Sequence, residues 1–391
     1  MAKFLGRDED YQLIQRREPR PWPRLRTGAG SIEGLPEVMA SFRGDFTWLL
    51  CDPGLYQAGH AQKALSLIQE KVPKVVLIMD VQENPDSLSV RLLADRLLRD
   101  RPDSLVVMGG GSALDTAKAA NLLAFSGGQM SEYRGYGKAR GKMLPMVGIP
   151  TTTGTGSESQ SYAVIEDRQT HMKMACGDPQ LLFHTVILDP ELVISQPRKV
   201  AALSGLDAIS HALESYVTLT ASPLSSEYSR EAWKLLSASF ERMLNDPGSL
   251  RVMAAMQWGA FLAGAAIEQS MLGACHAAAN PLAAHYGLTH GVAISLMLPT
   301  VLRFNGSVVR SSYQELAIIA GLSKDDPAEA LASQVEDWVS MAGLPRRLRD
   351  CGVSAGIFPI LAEEAAEQWT GHFNPRLTNE FEFKRLYQSA Y

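Results

Sequence analysis

The stretch 106-VVMGGGSALDTAK-118 passes from an apolar, β-type run through three consecutive glycines into a helical pattern. Glycine permits close backbone approach, and the free N–H groups and positive dipole end of a new helix suit a pyrophosphate. The spacing is neither GxGxxG nor the Walker sequence, so a plain strand-to-helix turn is an equally good interpretation of this run alone. The stretch predicts a strand, a tight turn and a helix, and leaves phosphate binding open.

The same alternation extends along the first half of the chain. Short apolar runs lie at 46–52, 74–80, 104–110 and 145–151, the third of them the run just described, with amphipathic helical stretches between them. Strands that alternate with helices favour a parallel, doubly wound sheet. After 186-VILDPEL-192 the β-type runs vanish, and residues at helical spacing dominate through 200–217, 231–244 and 328–343. We therefore expect an α/β domain over residues 1–192 and an all-α domain over residues 193–391.

Composition excludes several classes of protein. Of the 391 residues, 46% are hydrophobic and 20% are charged, which is typical of a globular chain with a large core. The formal charge of −5 comes without a long basic block, so neither nucleic acid nor a membrane surface is an expected partner. No apolar run reaches about 18 residues and the N-terminus has no signal-peptide core, so we expect neither export nor a membrane span. The cysteines have no paired spacing, which favours a reducing cytoplasm: Cys51, Cys176, Cys275 and Cys351.

A second loop and one carboxylate strengthen the nucleotide hypothesis. The run 150-PTTTGTGSE-158 places threonines and glycines directly after another predicted strand, where hydroxyl groups and bare backbone can line a polar ligand. Asp52 ends the 46–52 strand, where a carboxylate would accept hydrogen bonds from an adenosine ribose and repel a 2′-phosphate. That favours NAD(H) over NADP(H). The alternative is that Asp52-Pro53-Gly54 is only a turn.

A carboxylate and an imidazole stand four residues apart in 205-GLDAISHALESY-216. On a helix, Asp207 and His211 would lie about 40° apart on one face. Burying the two unpaired would cost several kcal/mol, so they need a partner. His276 and His290 can complete a set of one carboxylate and three imidazoles, which suits Fe(II) or Zn(II) and is poor for Ca(II) or Mg(II).

The remaining histidines are interpreted as hydrogen-bonded core or surface residues. His285 lies between two of the candidate ligands, but nine residues after His276 is about 180° around a helix, so its ring should face away from them. The others in this group are His60, His171, His184 and His372.

Taken in order, GGGSALDTAK, PTTTGTGSE, DPEL, GLDAISHALESY and the segment from His276 to His290-Gly291 resemble the motifs of the iron-containing (group III) alcohol dehydrogenases. The resemblance runs from about Gly28 to the end of the chain and includes 374-NPR-376. It implies a Rossmann-like sheet domain, then a helical domain that binds metal and substrate, with the active site in the cleft between them. It further implies metal-dependent hydride transfer between NAD(H) and a small primary alcohol or aldehyde, in a homodimer or larger assembly.

The resemblance also assigns residues. Asp207, His211, His276 and His290 would hold the metal and act in catalysis through it. In the cofactor site, Gly110, Gly111 and Ser112 would cradle the pyrophosphate with Asp115 nearby. The residues lining the dinucleotide would be Thr151, Thr152 and Thr155, those flanking its nicotinamide half Val164 and Lys173, and those approaching its adenosine side Asn84 and Asp52.

Two alternatives remain open. The first is a lyase, because the dehydroquinate synthases resemble this family in fold and use both NAD and a metal. The second is a non-catalytic binder of nucleotide and metal, which a departure from the family motivates. Many relatives carry a histidine four residues after the third metal ligand, where it can relay a proton, but this chain has Asn280. An amide cannot act as an acid or base near neutrality.

Overall fold

The computed structural model describes residues 22–170 and 172–391. They form two compact units. The sheet unit contains the described residues up to Gln196 together with Gly248–Gln257, and the helical unit contains Pro197–Pro247 and Trp258–Tyr391. The division thus falls a few residues beyond the boundary predicted at 192, and a short segment from the second half of the chain joins the first unit.

Two side chains explain where the sheet unit ends. The Asp189 carboxylate accepts the backbone N–H groups of Gly30 at 3.2 Å and Ile32 at 3.0 Å, which holds the turn after the last strand against the sheet. The Gln257 amide donates to the carbonyl oxygens of Pro150 at 3.4 Å and Asp189 at 3.3 Å. These bonds attach both segments to the sheet, although each borders a helical region in sequence.

The main sheet has six parallel strands within the described residues, in the order β1-β9-β6-β4-β2-β3. A small second sheet has the order β5-β8-β7, with β7 and β8 antiparallel. The strands are β1 (Arg24–Thr27), β2 (Phe46–Cys51), β3 (Lys74–Ile78), β4 (Ser104–Gly109), β5 (Gly135–Tyr136), β6 (Met146–Pro150), β7 (Tyr162–Glu166), β8 (Lys173–Gly177) and β9 (Thr185–Leu188). The helices of this unit are α1 (Leu35–Ala40), α2 (Pro53–Gln57), α3 (His60–Gln69), α4 (Ser87–Asp100) and α5 (Gly111–Ser126).

The strand order reverses direction between β2 and β4. From β2 the chain moves outward to β3 and then returns to the other side of β2, so the carboxyl ends of β2 and β4 flank a topological switch point. Ligands of open α/β sheets bind at such a point. All six residues of β4 are buried, which explains why the strand appears in the sequence as a continuous apolar run.

The helical unit contains no strand among its described residues. Its helices are α6 (Arg198–Val217), α7 (Pro223–Asn245), α8 (Leu250–Gln269), α9 (Ala274–Tyr286), α10 (His290–Asn305), α11 (Arg310–Ile319), α12 (Pro327–Met341), α13 (Phe358–Glu367) and α14 (Glu380–Ser389), of which the first turns of α8 group with the sheet unit. The predicted fold class, a parallel sheet domain followed by a helical domain, is confirmed. Strand β1 and the small sheet were not predicted.

Helix α8 is long and apolar enough, by length and composition alone, to cross a membrane. Its most apolar window has a mean hydropathy of 1.3, and 67% of that window is buried inside the protein. Burial of this extent is what a core helix requires, because an apolar surface already covered by protein gains nothing from lipid.

Candidate functional site

Three imidazole rings converge on one carboxylate oxygen in the helical unit. Helix α6 carries Asp207 and His211, with Nε2 of His211 3.4 Å from Oδ1 of Asp207. The same Oδ1 lies 3.7 Å from Nε2 of His276, near the start of α9, and 3.4 Å from Nε2 of His290, the first residue of α10. The structure therefore brings the four predicted metal ligands together.

The atoms at the centre of this cluster lack ordinary partners. Asp207, His211 and His276 are each only 5% exposed. Among the described residues, neither Oδ1 of Asp207 nor Nε2 of His276 has a hydrogen-bond partner. A buried polar atom without a partner costs several kcal/mol, and a divalent cation would satisfy both atoms at once. The donor set of three nitrogens and one carboxylate oxygen fits Fe(II) or Zn(II).

Burial and charge act against each other in this cluster. Burial opposes ionisation of Asp207, but the surrounding imidazoles hold the pKa of its carboxyl well below the usual value. Burial lowers the pKa of His211 to about 4 despite the nearby Asp207 charge. Burial also disfavours a charged His276, yet two carboxylates raise the pKa of this imidazole to about 9.

One member of the cluster was missed from the sequence. Glu214, on α6, is buried, and its Oε2 lies 2.5 Å from Nδ1 of His276. Its Oε1 accepts the backbone N–H of Cys275 at 2.7 Å. The sequence did carry a signal, because 207, 211 and 214 follow the i, i+4, i+7 spacing of one helix face.

His285 and Asn280 are engaged elsewhere on the same helix. Nε2 of His285 lies 2.8 Å from Oε1 of Glu364, which agrees with a ring that faces away from the four predicted metal ligands. The amide nitrogen of Asn280 donates to Oε1 of Gln368 at 3.0 Å.

The other histidines have varied surroundings. His60 pairs with the Ser195 hydroxyl at 2.7 Å, and His184 lies 3.0 Å from the Thr185 hydroxyl. Nδ1 of His372 is buried with no hydrogen-bond partner in the part of the chain that the structure describes. His171 lies outside the described residues.

In the sheet unit, the two predicted nucleotide loops pack against each other. Gly110 precedes α5 and offers no side-chain cap, so the first N–H groups of this helix are available to an anion. A Cβ atom at Gly111 would lie 2.8 Å from the methyl group of Thr155, and one at Gly110 would lie 3.1 Å from that of Thr152. Only glycine lets the two loops approach this closely.

Ser112, Asn84 and Lys173 form a group beside the first loop. The Asn84 N–H lies 3.4 Å from the Ser112 hydroxyl, and Lys173 Nζ lies 3.5 Å from the Asn84 side-chain oxygen. Burial lowers the pKa of Lys173, against the opposing charges of Glu166 and Asp115. The resemblance assigned Asn84 to the adenosine side and Lys173 to the nicotinamide half, but the structure makes them neighbours.

One carboxylate oxygen of Asp115 has a hydrogen-bond partner among the described residues, and the other has none. Oδ2 accepts the N–H of Val164 at 3.0 Å, whereas Oδ1 is buried and has no hydrogen-bond partner across residues 22–170 and 172–391. Burial raises the pKa of this carboxyl, although Lys118 lowers it. The Val164 side chain is partly exposed, and Thr151 is buried with its N–H bonded to the Gly109 carbonyl at 3.0 Å. The unpaired Oδ1 fits a site that a polar ligand completes.

Asp52 stands at the carboxyl end of β2, on the switch point. Its Oδ1 accepts the N–H of Leu55 at 3.0 Å and so caps α2, as the turn interpretation requires. Its Oδ2 faces β4, because a Cβ atom built on Gly109 would lie 3.8 Å from it. The residue thus serves the turn and also lies at the edge of the sheet where open α/β proteins bind ligands.

A buried lysine attaches helix α5 to the second loop and to the strand that follows it. Lys118 on α5 donates from Nζ to the carbonyl oxygens of Ser157 at 2.5 Å, Gln160 at 2.7 Å and Tyr162 at 2.9 Å. Burial raises the pKa of the neighbouring Glu158 to about 7, although Lys118 lowers it. The sequence alone indicated no role for Lys118 or Glu158.

Two family descriptions match this chain. "Iron-containing alcohol dehydrogenase" matches residues 23–190, and "Fe-containing alcohol dehydrogenase family, C-terminal" matches residues 201–391. An alcohol dehydrogenase 4 from Schizosaccharomyces pombe is 31% identical over 90% of this chain and 83% of its own length. The chain belongs to the iron-containing alcohol dehydrogenases. It is therefore an alcohol oxidoreductase by family.

Two further relatives of this iron-containing alcohol dehydrogenase cover nearly the whole chain. An NAD-dependent methanol dehydrogenase from Bacillus methanolicus is 28% identical over 94% of this chain and 98% of its own length. A crystal structure of a 1,3-propanediol oxidoreductase matches with a TM-score of 0.91 and 29% identity, over 96% of this chain and 100% of that one. The likeness therefore extends over both units.

Proposed function

We propose that this chain is an NAD-dependent, metal-dependent dehydrogenase of small primary alcohols. The overall reaction oxidises the alcohol to an aldehyde and reduces NAD⁺ to NADH with release of one proton. The observation that carries the proposal is the convergence of three imidazoles on the buried, unpaired Oδ1 of Asp207. The names of its relatives, which include methanol and 1,3-propanediol enzymes, support the substrate class.

The metal is proposed to be Fe(II) or Zn(II), held by Asp207, His211, His276 and His290. A divalent ion at such a site supplies Lewis acidity to the oxygen of an alcohol or carbonyl. The protein contributes a dry setting, because three of the four side chains are buried, and this strengthens electrostatic interactions inside the site. The more exposed His290, whose side chain is 36% exposed, marks the side from which substrate would enter.

The cofactor is proposed to be NAD(H), bound at the switch point of the sheet unit. The pyrophosphate would contact the N–H groups at the start of α5 and the Ser112 hydroxyl, with Asn84 alongside rather than at the adenosine end. Asp52 would accept hydrogen bonds from the adenosine ribose, and the unpaired Oδ1 of Asp115 is suited to an amide donor such as the nicotinamide carboxamide. Val164 and Lys173 would border that end, because Asp115 contacts the backbone of Val164.

We also propose that the protein is cytoplasmic and that it assembles with copies of itself. The four cysteines are free, which supports a reducing cytoplasm. We propose a homodimer or a larger homo-oligomer, to be tested by light scattering coupled to size-exclusion chromatography.

The test combines metal content with isotope transfer. Protein stripped by chelation should lose turnover and regain it with Fe(II) or Zn(II), and 1,1-dideuterated ethanol or propanol should yield singly deuterated NADH. Full activity in protein shown by elemental analysis to be metal-free would refute the metal assignment. Phosphate release from a sugar phosphate without net redox would instead favour the lyase, and tight NADH binding without turnover on a broad alcohol and aldehyde panel would favour a binder.

A further inference from the structure

Glu214 contacts one of the proposed metal ligands, His276, through the ring nitrogen other than the one nearest Asp207. Its carboxylate is buried and is divided between two partners, the ring of His276 through Oε2 and the backbone N–H of Cys275 through Oε1. It lies on α6, the helix that also carries Asp207 and His211. One helix thus supplies two candidate ligands and a carboxylate that contacts a third ligand on a different helix.

The first N–H groups of α9 are capped by side chains that lie outside this helix. The first N–H groups of a helix need acceptors, and Gly273 provides no side chain for this purpose. Asn374 Oδ1 accepts the Ala274 N–H at 3.2 Å, and Glu214 accepts that of Cys275. A Cβ atom at Gly273 would lie 2.9 Å from both Asn374 Oδ1 and Glu214 Oε1, so glycine is required for the two caps to approach.

The contact also fixes which nitrogen of His276 is available. An ionised carboxylate only accepts hydrogen bonds, so Nδ1 of His276 carries the hydrogen that it donates to Glu214. The lone pair of a neutral ring then lies on Nε2, the atom that faces Oδ1 of Asp207 at 3.7 Å. This is the arrangement in which an imidazole can bind a cation, and a carboxylate on the far nitrogen also raises the basicity of the ligand atom.

We propose that Glu214 is a positioning residue that orients His276 for the metal and sets its tautomer. The inference rests on the proposed metal site and adds to it a residue that touches neither substrate nor cofactor. Loss of such an outer partner commonly weakens metal affinity by about 10- to 100-fold.

Three variants of the full-length protein separate the possible causes. Glu214→Gln keeps the shape of the side chain and an acceptor for the Cys275 N–H but removes the charge. Asn374→Ala removes the other cap of the same helix and leaves the His276 contact in place. Glu364→Gln alters a second, partly exposed glutamate–histidine pair on His285, away from the metal cluster.

The measurement is the affinity for Zn(II) and Co(II), by competition with a chromophoric chelator, together with the visible spectrum of the Co(II) form. Glu214→Gln should weaken affinity about 10- to 100-fold and alter the Co(II) spectrum. Glu364→Gln and Asn374→Ala should stay within about threefold of the parent, although Asn374→Ala should unfold at a lower temperature. Circular dichroism of each variant without added metal establishes that the fold is intact.

Two results would overturn the inference. Parent-like affinity and spectrum in folded Glu214→Gln would show that the carboxylate does not act on the ligand. Equal weakening by Asn374→Ala would show that the helix start, rather than the ring contact, controls the site. Because the readout is metal affinity, a parent that binds Zn(II) but oxidises no alcohol refutes the proposed function alone, whereas a parent that binds neither metal refutes both.

Discussion

Nε2 of His285 lies 2.8 Å from Oε1 of Glu364, and this pair is partly exposed at the surface of the helical unit. Nine residues earlier on the same helix, the ring of His276 is buried beside Asp207. Nine residues correspond to about half a turn in angular position, so the two rings leave α9 in opposite directions. We therefore expect these two histidines of one helix to have separate roles, one at the proposed metal site and one at the surface.

Substitution should distinguish these roles. His276→Ala should cost at least about 3 kcal/mol of transition-state stabilisation, or more than about 100-fold in kcat/KM, because it removes a ligand of the proposed electrophile. His285→Gln should stay within about fivefold, because only a partly exposed hydrogen bond away from the proposed metal site is lost. Both are measured at saturating metal, with metal content determined for each variant. A folded, metal-loaded His285→Gln as inactive as His276→Ala would identify His285 as an acid–base group instead.

Asp52 caps α2 and is proposed to bind the adenosine ribose, and a pair of variants can separate these two roles. A charged hydrogen bond is worth roughly 1.5–3 kcal/mol, so Asp52→Gly should weaken discrimination against NADP(H) by about 10- to 100-fold. Asp52→Asn keeps an acceptor that can cap α2 at the position where the aspartate accepts the Leu55 N–H. It should therefore relax the discrimination with little loss of thermal stability. The measured quantity is the ratio of kcat/KM for the two cofactors, and an unchanged ratio in both variants would place the ribose elsewhere.

The sequence was informative about the fold wherever burial was continuous. Strand β4 lies within the central sheet and appears as an unbroken apolar run, and α6 has the predicted helical spacing. The small sheet was not predicted, because its strand β5 has only two residues, which is too short to show a period. The unit boundary depends on the contacts of Asp189 and Gln257, which form only after folding.

The sequence indicated which residues form the candidate metal site, but it did not indicate the side chain that contacts His276 or the carbonyl groups that contact Lys118. The spacing of Asp207 and His211 indicated a shared face, and His276 and His290 could complete a ligand set that the resemblance then assigned. Glu214 lies on that same face and could have been included, but its partner His276 is far away in sequence, so the pairing was not visible. Lys118 looked like an ordinary helix residue, because the carbonyl groups that bury it belong to a loop about forty residues later.

Glu158 should make stability depend on pH. Burial raises its pKa to about 7 from an ordinary 4.5. Between those values the folded protein keeps a proton that the unfolded chain has lost, so raising the pH through this window lowers the free energy of unfolding. The cost is absent below about pH 4.5 and complete above about pH 7, and at roughly 1.4 kcal/mol per pKa unit it is at most about 3.5 kcal/mol.

Glu158→Gln removes this titration. The free energy of unfolding of the variant should match that of the parent near pH 4.5 and exceed it by up to about 3.5 kcal/mol at pH 8, measured by urea unfolding at several pH values. The exposed Glu70→Gln is the matched control and should leave the pH dependence unchanged. A difference between Glu158→Gln and the parent that stays constant from pH 4.5 to 8 would contradict a raised pKa.

The family resemblance places Asn280 where many members would have a proton-relaying histidine, and its amide nitrogen donates to Oε1 of Gln368 at 3.0 Å. Since an amide transfers no proton near neutrality, Asn280→Ala should keep kcat/KM within about tenfold. Asn280→His should add an ionisation to the pH–rate profile near the ordinary imidazole pKa of about 6.5, because it introduces a titratable ring at the relay position. The profiles of all three proteins are compared at saturating metal. If folded, metal-loaded Asn280→Ala loses more than about 100-fold in kcat/KM, the amide itself takes part in the reaction. The proton would then leave by a route that depends on this residue.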